Sequence, residues 1–213
     1  MMDVLRAEDL IGLFRGWRDL FVAERDFLIA LDGKVGDSDL GITMAKSFTA
    51  AADAVAAEGA GAGLPKLLRV AGAVIAKTAP STMGTLTATG FLRGAKALDG
   101  TEAIGTAQAA LFWRAFTTGI AERGKARLGD KTILDVLDPV ATVLEVQAQS
   151  GAALAPAMAA AAQEAEAALE RTKTLLAQHG KAAAFQEKTI GLQDAGATVG
   201  MMLVRQMSAF TAG

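Results

Sequence analysis

Three carboxylates fall in one short stretch, Asp32-Gly33-Lys34-Val35-Gly36-Asp37-Ser38-Asp39-Leu40-Gly41, at spacings of five and two residues. Carboxylates crowded between glycines repel one another unless a cation sits among them, and an all-oxygen donor set suits Mg²⁺, which keeps several waters and bridges to phosphate oxygens. The same residue types also make ordinary solvated turns. The segment after the aspartates favours the metal. Gly41 to Phe48 has the pattern of a first helical turn, whose unpaired amides and positive dipole end attract an anion. Metal and helix end together suit a chelated di- or triphosphate. A calcium loop of the EF-hand type needs a Glu at its twelfth position, and counting from Asp32 that position is Thr43.

Three further segments carry chemistry-bearing residues beside glycine. Pro80-Ser81-Thr82-Met83-Gly84-Thr85 opens a helix with hydroxyls and free amides, which serve either as ordinary caps or as phosphate contacts. Gly129-Asp130-Lys131-Thr132-Ile133-Leu134-Asp135 comes shortly after Arg123-Gly124-Lys125. There Asp130 is expected to cap a helix that Pro139 then kinks or deprives of one carbonyl partner. Gly191-Leu192-Gln193-Asp194-Ala195-Gly196 puts a carboxylate at the start of the last helix, where it caps or touches a ligand.

The elements that must position these loops are helices. Residues 8–31 place Leu10, Phe14, Trp17, Phe21 and Leu28 on one face, and that helix delivers Asp32 at its end. Further helices are expected at 41–58, 64–78, 83–98, 102–122, 131–149, 153–178 and 194–211. Period-two alternation is missing, tyrosine is absent and alanine is abundant, so the fold class is all-α, one domain over 1–213. Short connections make neighbours antiparallel, giving an eight-helix up-and-down bundle or barrel. In such a ring the loops before the second, fourth, sixth and eighth helices share one end. Those are the four Gly- and Asp-marked segments, so they can build one site.

Composition narrows the chemistry further. With 213 residues, a net charge of −2 and interspersed charges, the chain shows no nucleic-acid footprint and no membrane segment. A cytoplasmic location is expected, since the N-terminus lacks a signal-peptide core. Cysteine is absent and His179 is the single histidine, which excludes thiolate zinc sites and leaves little room for a Ser-His-Asp triad. His179 itself is expected at a helix C-terminus. Trp17, Phe112 and Trp113 are core or interface residues.

Taken in order, the four motifs resemble those of the nucleotide-binding L subunit or L domain of dihydroxyacetone kinases, over nearly the whole chain. The resemblance implies an eight-helix antiparallel barrel holding ADP or ATP at one end through two Mg²⁺ ions, with Asp32, Asp37 and Asp39 as metal ligands. It places Leu40, Gly41, Ile42 and Thr43 in a phosphate-contacting turn. It also puts Thr82, Met83, Gly124, Ile133, Lys181, Asp194, Ala195 and Gly196 around the nucleotide. The family pattern has glycine at 38, histidine at 40, serine at 83, arginine at 181 and proline at 195. A point-charge ammonium in place of a bidentate guanidinium implies looser nucleotide retention.

No base for a sugar hydroxyl stands out, and the resemblance puts the substrate-anchoring histidine on a separate K subunit. The chain is thus expected to be half of a kinase for dihydroxyacetone or a related short sugar. Its nucleotide is either a fixed ADP, rephosphorylated in place by a phosphotransferase-system protein, or an exchanging ATP. A separate L chain favours the first and the weakened phosphate contacts the second. The alternative is a nucleotide-binding regulatory or scaffold subunit without turnover of its own.

Overall fold

The structure is a computed structural model describing residues 1–213. It contains α1 (Ala7–Ala23), α2 (Arg25–Asp32), α3 (Leu40–Glu58), α4 (Leu64–Thr78), α5 (Thr82–Ala97), α6 (Thr106–Gly124), α7 (Leu134–Gln149), α8 (Leu154–Thr172) and α9 (Ala195–Ala212), with 3₁₀ segments at Ala60–Ala62 and Lys181–Thr189. No strand forms; the one bridge joins Leu5 to Ile104. Each long helix packs on its sequence neighbours, and α9 returns to α1, so α1 and α3–α9 close a ring of eight. No helix is long and apolar enough to cross a membrane.

The helices expected from 102 and 131 begin at Thr106 and Leu134, the first because Ile104 pairs with Leu5, and two boundaries differ further, each for a physical reason. The helix expected over 8–31 breaks at Glu24, and α2 turns to pack on the start of α3. Gly41 permits that approach, because a Cβ there would lie 2.0 Å from the Arg25 carbonyl oxygen. The helix expected over 153–178 stops at Thr172, whose carbonyl accepts the Lys131 ammonium at 2.7 Å and, in a tighter closing turn, the Leu175 amide at 3.1 Å. Pro139 lies within α7, so the Asp135 carbonyl loses its donor four residues on while the helix continues.

The ring is filled, and its filling is aromatic. Phe91 on α5 has ring centroids 5.3–6.2 Å from Phe14, Trp17, Phe48, Phe112 and Phe116, which come from α1, α3 and α6. Trp17 also donates its indole N–H to the Leu203 carbonyl at 3.0 Å, tying α1 to α9 where the ring closes. Trp17, Phe112 and Trp113 are therefore core residues. At the end holding the N-terminus, Leu5 and Ile104 exchange amide hydrogen bonds and the Met2 amide reaches the Thr211 carbonyl. The loops before α3, α5, α7 and α9 lie at the other end.

Truncating the central ring leaves a void that helices on several sides cannot all close. Phe91→Ala is expected to lower unfolding free energy by about 3–5 kcal/mol, read by urea denaturation with helical circular dichroism. A loss under about 1 kcal/mol would mean that the ring collapses freely around the site.

Candidate functional site

The aspartate cluster is built by the α2–α3 junction. Asp32 ends α2, and its Oδ2 accepts the amides of Asp39 at 3.1 Å and Leu40 at 3.4 Å, folding the loop back on itself. A Cβ on Gly36 would lie 2.2 Å from Asp32 Oδ1, and one on Gly33 would lie 2.5 Å from Ser38 Oγ, so the loop packs tightly on both carboxylate and hydroxyl. Ser38 adopts φ 62°, a left-handed conformation that explains why glycine suits this position in the family pattern. The result is one carboxylate oxygen from each of Asp32, Asp37 and Asp39, all within 4.8 Å of one another. Burial first, then the charges of Asp37 and Asp32, push the Asp39 carboxyl above its ordinary value. The Lys181 ammonium contacts Asp37 from across the site, a cation already drawn to the cluster. Three converging hard oxygens with an attracted positive charge fit a divalent ion of the Mg²⁺ kind.

Beside the cluster opens a cavity of about 880 Å³. Its walls bring together Asp32, Asp37, Asp39, Leu40, Thr82, Met83, Gly124, Ile133, Lys181, Asp194, Ala195 and Gly196, drawn from all four loops. Gly41, Ile42 and Thr43 do not line it: they form the first turn of α3 behind Leu40, with Gly41 buried and Ile42 about half exposed. The starts of α3, α5 and α9 meet at this space. In α5, Ser81 Oγ accepts the Gly84 amide and its carbonyl accepts the Thr85 amide, which leaves the Thr82 and Met83 amides available to a ligand. Gly84 lets this turn sit against the chain before it, since a Cβ would come within 2.2 Å of the Ala79 carbonyl oxygen. Met83, Leu86 and Ile133 give the cavity an apolar side, and the aspartates give it a charged one.

Two expectations are corrected here. Asp130 does not cap α7; it accepts the Arg127 amide at 2.7 Å and pairs with His179 Nε2 at 2.9 Å. The Arg127 amide, helped by His179, holds the Asp130 carboxyl below the usual range. The Leu134 amide at the start of α7 goes instead to the Thr132 hydroxyl at 3.2 Å, while Asp135 in the first turn reaches back to accept the Thr132 and Gly129 amides of the preceding loop at 2.7 and 2.6 Å. His179 is not at a helix terminus, because α8 ended at Thr172, and it lines the cavity instead. Lys131 also lines it and was not singled out from sequence. It is 4% exposed, with φ 59°, and donates from Nζ to the Thr172 and Leu192 carbonyls, each at 2.7 Å. Burial lowers its pKa, opposed by the charges of Asp194 and Asp135. Nothing in the local pattern marks a lysine after Asp130 as buried; the partners come from 41 and 61 residues away.

Comparison with known proteins places this geometry. The DAK2 domain family matches residues 34–209. The chain is 32% identical to the ADP-binding subunit DhaL of the PEP-dependent dihydroxyacetone kinase of Escherichia coli (strain K12), covering 91% of each. It is also 32% identical to L-erythrulose kinase of Pectobacterium atrosepticum, over 90% of this chain and 33% of that protein. Its fold superposes with TM-score 0.71 and 25% identity on the dihydroxyacetone kinase of C. freundii in complex with AMP-PNP and Mg²⁺, covering 93% of this chain and 33% of that one. The chain thus spans nearly all of the first relative and about a third of the other two.

Asp194 gives the site a pH signature. Its Oδ2 accepts the Ala197 amide at 2.7 Å, capping α9, while burial pushes its carboxyl up to about 6 against the opposing pull of that bond and of Lys131. An unfolded aspartate titrates near about 4, so the folded chain binds this proton more tightly. The stability it contributes is present below about pH 4 and is lost as pH rises through about 6. Asp194→Asn keeps an oxygen for the Ala197 amide without the charge. Relative to that variant, the wild type is expected to lose up to about 3 kcal/mol between pH 4 and 7, measured by urea unfolding across pH. A flat or rising difference would show that the carboxylate is not the buried group described.

Proposed function

The chain belongs to the DAK2 domain family, and from that we propose that residues 1–213 act as one nucleotide-binding phosphoryl-transfer unit of a kinase for dihydroxyacetone or a related short-chain sugar. One observation carries the reading: three carboxylates converge within 4.8 Å at the edge of a cavity of about 880 Å³ ringed by helix N-termini. That pairing of hard oxygen donors with amide donors suits a metal-chelated polyphosphate and little else. The named activities of the relatives, an ADP-binding kinase subunit and an erythrulose kinase, support the substrate class.

In this reading Asp32, Asp37 and Asp39 hold Mg²⁺, two ions by the family resemblance, and the bound metal neutralises the charge that builds on phosphate oxygens during transfer. The chain's own groups do the rest. Asp32, fixed by the Asp39 and Leu40 amides, sets the direction in which the cluster opens. The Thr82 and Met83 amides at the start of α5 receive phosphate oxygens, with Leu40 and the first turn of α3 behind the cluster. Met83, Leu86 and Ile133 offer the apolar side to the base, with Gly124 and Gly196 leaving room beside it. Lys181, beside Asp37 on the cavity wall, would offer its ammonium to a phosphate bound at the cluster. By the family resemblance, the acceptor sugar is presented by a separate K-type partner in the cytoplasm. The phosphate source is ATP by exchange, or a phosphotransferase-system protein acting on retained ADP.

Thermal shift with Mg²⁺ plus ADP or ATP tests this directly. The wild type is expected to be stabilised by nucleotide only when Mg²⁺ is present, by about 3 kcal/mol at a hundredfold excess over Kd. Asp37→Asn should lose that shift while the unliganded variant keeps its fold. In turnover assays with a K-type subunit and dihydroxyacetone the same variant should fall by at least about a hundredfold. A wild-type protein that binds Mg²⁺-nucleotide and never turns over with any such partner would point instead to a regulatory subunit.

A further inference from the structure

The connection from α8 to α9 leaves the ring and returns to it at a single neck. There the Gly191 amide donates to the Lys173 carbonyl at 2.7 Å. Immediately inside that pair lie Thr172 and Leu192, and the carbonyls of both are held by the Lys131 ammonium. One buried cation, arriving from the α6–α7 loop, therefore grips both strands of the neck. Charge-assisted bonds to carbonyls are worth more than neutral ones, and a lysine this deep is tolerated only because its donors are used.

Outward from the neck the loop has almost no core of its own. Residues 184–188 are exposed, Phe185 among them, and of the 3₁₀ segment only Thr189 is buried. Its order rests on a few polar ties. Thr189 Oγ accepts the Ala177 amide at 3.1 Å and donates to the Gln186 carbonyl at 2.7 Å. The Gln178 amide donates to the Asp130 carbonyl at 3.1 Å, His179 pairs with Asp130, and Lys181 contacts Asp37. Through these ties His179, Gly180, Lys181 and Ala182 form one wall of the cavity. A long connection with little apolar burial opens easily unless its ends are fixed.

We propose that Lys131 is the positioning residue of this site: by gripping the Thr172 and Leu192 carbonyls it fixes residues 173–191 as the closing wall of the cavity and sets Lys181 against the carboxylate cluster. The consequence for ligand retention rests on the nucleotide reading above; the structural half does not. Lys131 contributes no catalytic chemistry. Its effect on a bound nucleotide passes through the loop, so it governs how fast the ligand leaves more than how fast it arrives.

Hydrogen exchange read by mass spectrometry on the full chain without nucleotide decides the structural half. Lys131→Met keeps length and removes the donors. Amides of 173–191 are expected to lose protection by about tenfold or more while those of α1 and α3–α7 keep theirs. Lys131→Gln, which retains a shorter donor, should fall between and guards against a Met variant that does not fold. In stopped flow with a fluorescent ADP and Mg²⁺, dissociation from Lys131→Met should speed by about tenfold with association changed by less than about threefold. Thr189→Val, which loosens the loop without touching the neck, should move dissociation the same way. Unchanged exchange in 173–191, or protection lost evenly through every helix, overturns the proposal. If the wild type binds no Mg²⁺-ADP at all, the nucleotide reading fails, and the exchange result still decides what Lys131 does.

Discussion

Mutual repulsion among Asp32, Asp37 and Asp39 is the constraint around which this end of the molecule is built. One carboxylate oxygen from each lies within 4.8 Å of the others, and burial first, then the charges of Asp37 and Asp32, raise the Asp39 carboxyl. The chain tolerates the cluster because opposing groups are fixed first. Asp32 is held by two backbone amides, the start of α3 lies directly behind, and Lys181 is drawn onto Asp37 from a loop 144 residues away. The two amides on Asp32 also fix the direction of its carboxylate from the backbone side.

That arrangement requires a scaffold that does not yield. The aromatic group centred on Phe91 joins α1, α3, α5 and α6, and the Trp17 bond to the Leu203 carbonyl closes the ring at α9. With the interior packed, the free space is left at the loop end, where helix starts rather than helix sides face the ligand. Gly41 lets α2 press on the start of α3, and Gly84 lets the start of α5 press on the Ala79 carbonyl, bringing the Thr82 and Met83 amides up to the cavity.

How much the sequence revealed depends on range. The helices were legible because apolar periodicity is local, and the shared end of the four glycine-marked loops came from counting antiparallel helices. The aspartates were legible because their spacing is short. The break at Glu24 was not, because it depends on how closely α2 can approach Gly41. Nor was the true end of α8: the Thr172 carbonyl is claimed by Lys131, and no local pattern reports a partner 41 residues away. The cap of α7 was misread for a similar reason. Asp130 stands where a cap is expected, but its carboxylate is taken by the Arg127 amide and by His179, which lies 49 residues away.

The site therefore has two parts of different stiffness, and two of the five departures from the family pattern fall one in each. Ser38 lies in the cluster loop, where a left-handed backbone stores strain but the carboxylates stay in place. Lys181 lies on the 173–191 loop, which has little apolar burial and is tied mainly by polar contacts. A guanidinium at 181 could engage a carboxylate and a phosphate at once through separate N–H groups, whereas a compact ammonium is better suited to holding one of them. On the nucleotide reading proposed above, metal capture rests on the α2–α3 loop and nucleotide retention on the 173–191 loop. On that same reading, substitution in the outer loop changes how long a nucleotide is held while the three aspartates stay where they are.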